Sequence, residues 1–281
     1  MDMQLSARKL AHQQIRNTLT PTEWEENWEF ACTLIEQVKN HRLMSHPIIG
    51  HLKGGGFQTE QMRIIHLEFY HAFVQVFTDS VIQAMFIASQ LERRLGPTAK
   101  TSARFLLQFN LLEELGYKPG YGSDGSFNGN PNGAHYFQFF KVLQQLNVDV
   151  NTAGNYLPMA SSLAGRATFE NCYDDYLLLV TTLAASETGF HDYANFWATG
   201  VAQATDIDVS QGYHSIHVEN ETGESVEDGH AEDAWTLVAQ ALRKDRYDEV
   251  KRHLQLTLNT WSVFLDDIVA GKFISNQKQA A

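Results

Sequence analysis

The stretch YLLLVTTLAASETGF, residues 176–190, decides how the rest of the chain is read. It is almost wholly apolar, its polar side chains are hydroxyls with one exception, and it lacks the alternation of a half-buried strand. It therefore reads as a helix in a protein interior. The exception is Glu187. A carboxylate at that depth is costly as an unpaired charge unless it takes up a proton or meets a cation. The competing reading brings Glu187 to the surface at a kink near Gly189.

Working outward, the other patterned segments are also helical. Thr20 is placed to cap TPTEWEENWEFACTLIEQVKNH, with Pro21 in the first turn and Glu23 closing a capping box. Trp24, Trp28, Ala31 and Ile35 then recur at helical spacing. After a three-glycine break at 54–56, a long helix is expected from about Thr59 to Leu91, ended by Gly96 and Pro97. FLLQFNLLEELG forms a shorter helix that stops at Gly116. YKPGYGSDGSFNGNPNG is a loop by composition, and helix resumes in AHYFQFFKVLQQL. One helical run is expected over roughly Phe169 to Phe196, another from near Asp206, and a last in RYDEVKRHLQLTLNTWSVFLDDIV. No segment shows strand alternation. The expectation is all-α, a single domain of about seven main helices, with 1–18 as an N-terminal extension and 273–281 as a frayed tail.

The 281 residues suffice for one large core. Lys plus Arg number 21 against 33 Asp plus Glu, a formal net charge of −12, which disfavours nucleic acid and anionic membrane as partners. The N-terminus has no signal-peptide core, and no uninterrupted apolar run approaches the roughly 20 residues of a membrane span. A cytoplasmic location is the expectation. Cys32 and Cys172 form no CxxC, so a thiolate zinc site is not expected. The glycine run at 54–56 lacks the Lys and Ser/Thr of a phosphate loop and reads as a linker.

Twelve histidines direct attention to metal chemistry. Glu114 ends one helix and His135 opens the next, so the loop between them lets the two face each other. Taken singly, each reads as an exposed helix-end residue; with Glu187 they begin a ligand shell. The run HVENETGESVEDGH, residues 217–230, adds His217, Glu221 and Glu224 within about 60° of one helix face, and Glu227 with His230 at i, i+3. Glu219, with Glu232 and Asp233, is assigned to solvent. Glu68 and His71 also have ExxH spacing. The order of these groups along the chain does not fit a ferritin-like di-iron site. His191, four residues after Glu187, reads as a core or rim histidine. Tyr136, Phe137, Phe140 and Phe190 are candidate pocket walls, with ordinary core packing as their plain alternative.

The ordered set, with HPIIGHLKGGGFQTEQMRIIHLEFYH before it and HAEDAW after it, resembles the haem-oxygenase-like di-iron oxidases and oxygenases, in particular the CADD-like proteins. The resemblance implies a haem-oxygenase-like helical bundle and two iron ions, with manganese as an alternative. It implies O₂ and a small organic molecule as substrates; a homodimer is the general default for the assembly. Carried over position by position, it gives Glu114 (or Glu113), His135 and Glu187 as ligands. The last helix departs from the family's His-x3-Asp-x2-His pattern. His217, Glu221 and His230 are the best match there, with Glu224 or Glu227 as alternatives. That departure keeps two other readings open: a metal-independent enzyme like the thiaminase-type hydrolases or cofactorless quinone-forming oxidases of the same scaffold, and a partner-binding protein with a degenerate site.

Overall fold

The structure is a computed structural model that describes residues 6–123, 125–149, 151, 156–217 and 226–273; the side chains of 119, 190–192 and 226–228 also lie outside the description. The chain enters α1 (Ala7–Arg16), capped by Ser6, and then α2 (Pro21–Lys39). The Thr20 hydroxyl accepts from Glu23 N at 3.2 Å, the half of the capping box that the side chain of Thr20 supplies. A 3-10 turn and α3 (Ile48–Lys53) lead through the three-glycine turn to α4 (Thr59–Phe69). There α4 widens into a π-helical turn, Tyr70–Val74, before continuing as α5 (Gln75–Ile87) and α6 (Ser89–Leu95). Gly96, at φ 80°, breaks the run, and Pro97 opens α7 (Pro97–Glu114).

Three expectations are corrected. The glycine-rich segment after Gly116 is not all loop: β1 (Tyr117–Tyr121) pairs antiparallel with β2 (Phe127–Gly129). Tyr121 stacks on Phe127 at 5.6 Å, and Gly129 leaves room for the Tyr117 ring. Aromatic cross-strand packing thus outweighs a composition that favours turns. The expected single helix over 169–196 is two. After α8 (His135–Gln145), α9 (Ala160–Glu170) stops at Asn171, and Asp175 caps α10 (Tyr176–Ala204) by accepting from Leu178 N at 3.1 Å. Asn and Asp side chains compete with the helix for backbone groups, which is why the break falls there. The helix expected from Asp206 is replaced by a turn in which Asp208 accepts from Ser210 N, followed by the short α11 (Tyr213–Ile216).

The chain closes with α12 (Val226–Ala241) and α13 (Tyr247–Val269). One buried apolar cluster runs from Ala11 to Phe273, and α10 packs along α12 more extensively than any other pair of described elements. The all-α class holds, with the two short strands as an addition. The run Thr59–Leu95 meets the length and composition of a membrane-crossing helix, but 56% of its apolar window is packed inside the protein, as in a core helix.

Candidate metal centre

The geometry starts at the end of α7. Gly116 takes φ 86°, and a Cβ there would lie 2.5 Å from the Asn130 carbonyl oxygen. Only glycine fits this close return. Asn130 N donates to Gly116 O at 3.0 Å, so the hairpin leaves and re-enters at one point and delivers His135 as the first residue of α8. Glu114 and His135 therefore meet, with Oε1 and Nδ1 2.9 Å apart. Thr78 donates to the other carboxylate oxygen at 3.3 Å. Burial pushes the Glu114 pKa up, but His135, His217 and His230 outweigh it and hold the carboxyl below its ordinary value.

Glu187 is buried in the middle of α10, which continues unbroken past Gly189 to Ala204, so the kinked, solvent-reaching alternative does not apply. Asn110 Nδ2 donates to its Oε1 at 2.6 Å. Across from it on α12, His230 is also buried, with Nδ1 3.9 Å from Glu187 Oε1. Its Nε2 lies 2.7 Å from Glu113 Oε2, outside hydrogen-bond angles. Burial pulls the His230 pKa down, yet Glu113, Glu187 and Glu114 raise it to about 9. Three carboxylates thus favour the protonated, cationic form of this imidazole. His217 is the C-cap of α11, its ring 5.0 Å from that of His135 and 4.6 Å from Tyr213.

Glu114, His135, Glu187, His217 and His230 all line one cavity of about 130 Å³. Much of its remaining wall is aromatic: Phe69, Phe73, Phe77, Trp197, Trp261 and Phe264. The π-helical turn supplies Phe73 and Val74 to that wall.

A solved structure similar to this chain is the crystal structure of a CADD-like protein of unknown function from Nostoc punctiforme. The TM-score is 0.61 at 14% sequence identity, covering 89% of this chain and 97% of that one. The chain has a CADD-like fold. No family model and no curated protein sequence matches it.

Within the CADD-like fold, the five expected residues on the cavity wall arrive as two pairs, Glu114–His135 and Glu187–His230, with His217 beside the first. The donors are carboxylate and imidazole without thiolate, which suits iron or manganese. Among the described residues no three His, Cys, Asp or Glu side chains converge into a closed ion site. Glu221 and Glu224 lie outside the described residues, as does the Glu227 side chain. His217 is the C-cap of α11, and its expected i, i+4 pairing with Glu221 lies outside the described residues.

Other expectations resolve individually. Glu68 belongs to a structural anchor: it accepts from Tyr156 Oη (2.6 Å), Met159 N (2.9 Å) and Ser162 Oγ (2.5 Å). His71 stacks on Tyr156. Tyr136 lines the cavity, whereas Phe137 is 48% exposed and is no wall. Phe140 packs on Tyr136 and Tyr70. The side chains of Phe190 and His191 lie outside the description. Cys32 and Cys172 are both free thiols. Asp233, assigned to solvent from its acidic surroundings, is buried and held 2.6 Å from His12 Nε2. Its position three residues after His230, one helical turn on, was the available signal. Asn110 and Thr78 carried none, because their partners are far away in sequence.

Proposed function

We propose that the chain is a non-haem di-iron, O₂-dependent oxidase or oxygenase on a haem-oxygenase-like scaffold, acting on a small apolar organic molecule. The observation that carries this reading is the convergence of Glu114, His135, Glu187, His217 and His230 from separate elements onto one cavity that is otherwise largely aromatic. Glu114 and His135 would hold one side of the metal centre, and Glu187 and His230 the other. Bound ferrous iron supplies electrons for O₂ reduction. The protein's own part is positional. Thr78 and Asn110 fix the two carboxylates by hydrogen bonds, and the Phe69, Phe73 and Trp261 rings exclude water from a substrate seated against the polar wall.

Protein purified with ferrous iron under anaerobic conditions is expected to carry about two irons per chain by metal analysis, consistent with the donor count of a dinuclear carboxylate site. Glu187→Ala is expected to lose most of that iron. Retention of wild-type iron by the Glu187→Ala protein overturns the assignment. The departure of residues 217–224 from the His-x3-Asp-x2-His pattern, with Glu221 and Glu224 where Asp and the second His are expected, favours one second reading, a metal-independent enzyme in the same cavity. It predicts turnover of an organic substrate that a chelator leaves unchanged.

A further inference from the structure

The N-terminal helix α1 touches the candidate centre from outside the cavity. Arg8 places Nε 3.2 Å from Asp233 Oδ2 and Nη2 3.7 Å from Glu113 Oε1, and its guanidinium lies over the Phe109 ring at 5.3 Å. One turn on, His12 Nε2 meets Asp233 Oδ1 at 2.6 Å, and its Nδ1 lies 3.5 Å from the Thr236 hydroxyl. Ala11 and Ile15 on the same helix are buried, so α1 is docked and not merely adjacent. The seat for Arg8 is built into α12: a Cβ on Gly229 would lie 1.9 Å from Arg8 Nη1. Glycine inside a helix is disfavoured relative to alanine, and here the missing side chain is where the guanidinium passes.

Asp233 and Glu113 both neighbour His230. The first lies one turn along α12, and the second contacts His230 Nε2 at 2.7 Å. We propose that α1 is a positioning arm of the metal centre, in which Arg8 and His12 grip Glu113 and Asp233 and so hold His230 with its Nδ1 toward Glu187. Arg8, His12, Glu113 and Asp233 are positioning residues, not ligands. Such outer partners orient a metal-binding imidazole, and their loss commonly weakens metal affinity by about 10- to 100-fold. The inference rests on the metal-centre reading and extends it to a segment that sequence patterning leaves as a bare extension.

The sign of the effect separates positioning from bulk electrostatics. Removing a cation near a metal site strengthens cation binding by Coulomb's law alone, whereas loosening His230 weakens it. The test is ferrous iron affinity by anaerobic equilibrium dialysis for the full chain and for Arg8→Ala, Arg8→Lys, Gly229→Ala and Glu187→Ala, with helicity and thermal midpoint measured on each. Arg8→Ala and Gly229→Ala are each expected to bind iron about tenfold more weakly or worse while remaining helical, and Arg8→Lys to recover part of the loss. Gly229→Ala evicts the guanidinium without removing its charge and favours the helix, so it reports even where Arg8→Ala folds poorly. Wild-type or tighter affinity in both Arg8→Ala and Gly229→Ala, with iron lost in Glu187→Ala, overturns the arm and leaves the centre standing. A wild-type protein that binds no iron overturns both.

Discussion

Glu68 and Glu187 are both buried glutamates on long apolar helices, and their partners give them opposite roles. Glu68 accepts three donors from 156–162 and is not on the wall of the cavity that Glu187 lines, so its carboxylate is answered by hydrogen bonds within the fold. Glu187 has the Asn110 amide on one oxygen and faces both the cavity and His230. Substitution separates the two. Glu68→Ala strands a buried backbone N–H and two hydroxyls and is expected to cost about 3 kcal/mol or more, read as a lower urea midpoint, with iron loading unchanged. Loss of iron from Glu68→Ala would instead return the 68–71 pair to the metal centre.

At the scale of elements, the centre depends on how helix ends are joined. The Glu114–His135 contact spans 21 positions and is made by a hairpin that pivots at Gly116, where positive φ and the Asn130 carbonyl leave no space for a side chain. Gly116→Ala is expected to destabilise the protein by about 1–2 kcal/mol through backbone strain, with the clash adding to it. It should also weaken iron binding by parting Glu114 from His135. An unchanged iron affinity in a measurably destabilised Gly116→Ala protein would show that the hairpin does not set the ligand geometry. The joint between α9 and α10 works similarly: Asp175 caps α10 and also pairs with Arg246 at 2.6 Å, tying the start of the Glu187 helix to the segment before α13.

Across the whole molecule, buried imidazoles contribute to the response to pH. His66 is fully buried between the Met62 carbonyl, 2.7 Å from Nδ1, and the Trp197 indole N–H, which donates to Nε2 at 3.2 Å. One neighbour accepts and the other donates, so only the neutral ring with its proton on Nδ1 satisfies both. Burial pulls its pKa down to about 4. The unfolded chain titrates near the ordinary value of about 6.5, so between about pH 6.5 and 4 it binds the proton that the folded protein refuses. The stability associated with His66 is whole above pH 6.5 and falls as the pH drops toward 4, by on the order of 3 kcal/mol. Urea midpoints taken at pH 7 and pH 5 on wild type and His66→Phe check this. The wild type is expected to lose more stability over that interval than the variant, and equal losses would refute the assignment. His214, driven down by burial to about 3, acts in the same direction.

The sequence by itself determined the helical class, the burial of Glu187 and the candidacy of Glu114 and His135, because these depend on local periodicity, helix-end signals and the cost of an isolated charge. Only the tertiary structure decided which acidic residues are surface and which are frame. Glu232 and Asp233 are adjacent acidic residues, yet Glu232 is 68% exposed at its side chain, while Asp233 lies beneath a helix more than two hundred positions away in sequence. Burial of that kind is set by which elements pack together, and a linear pattern records the face of a helix without recording what comes to cover it.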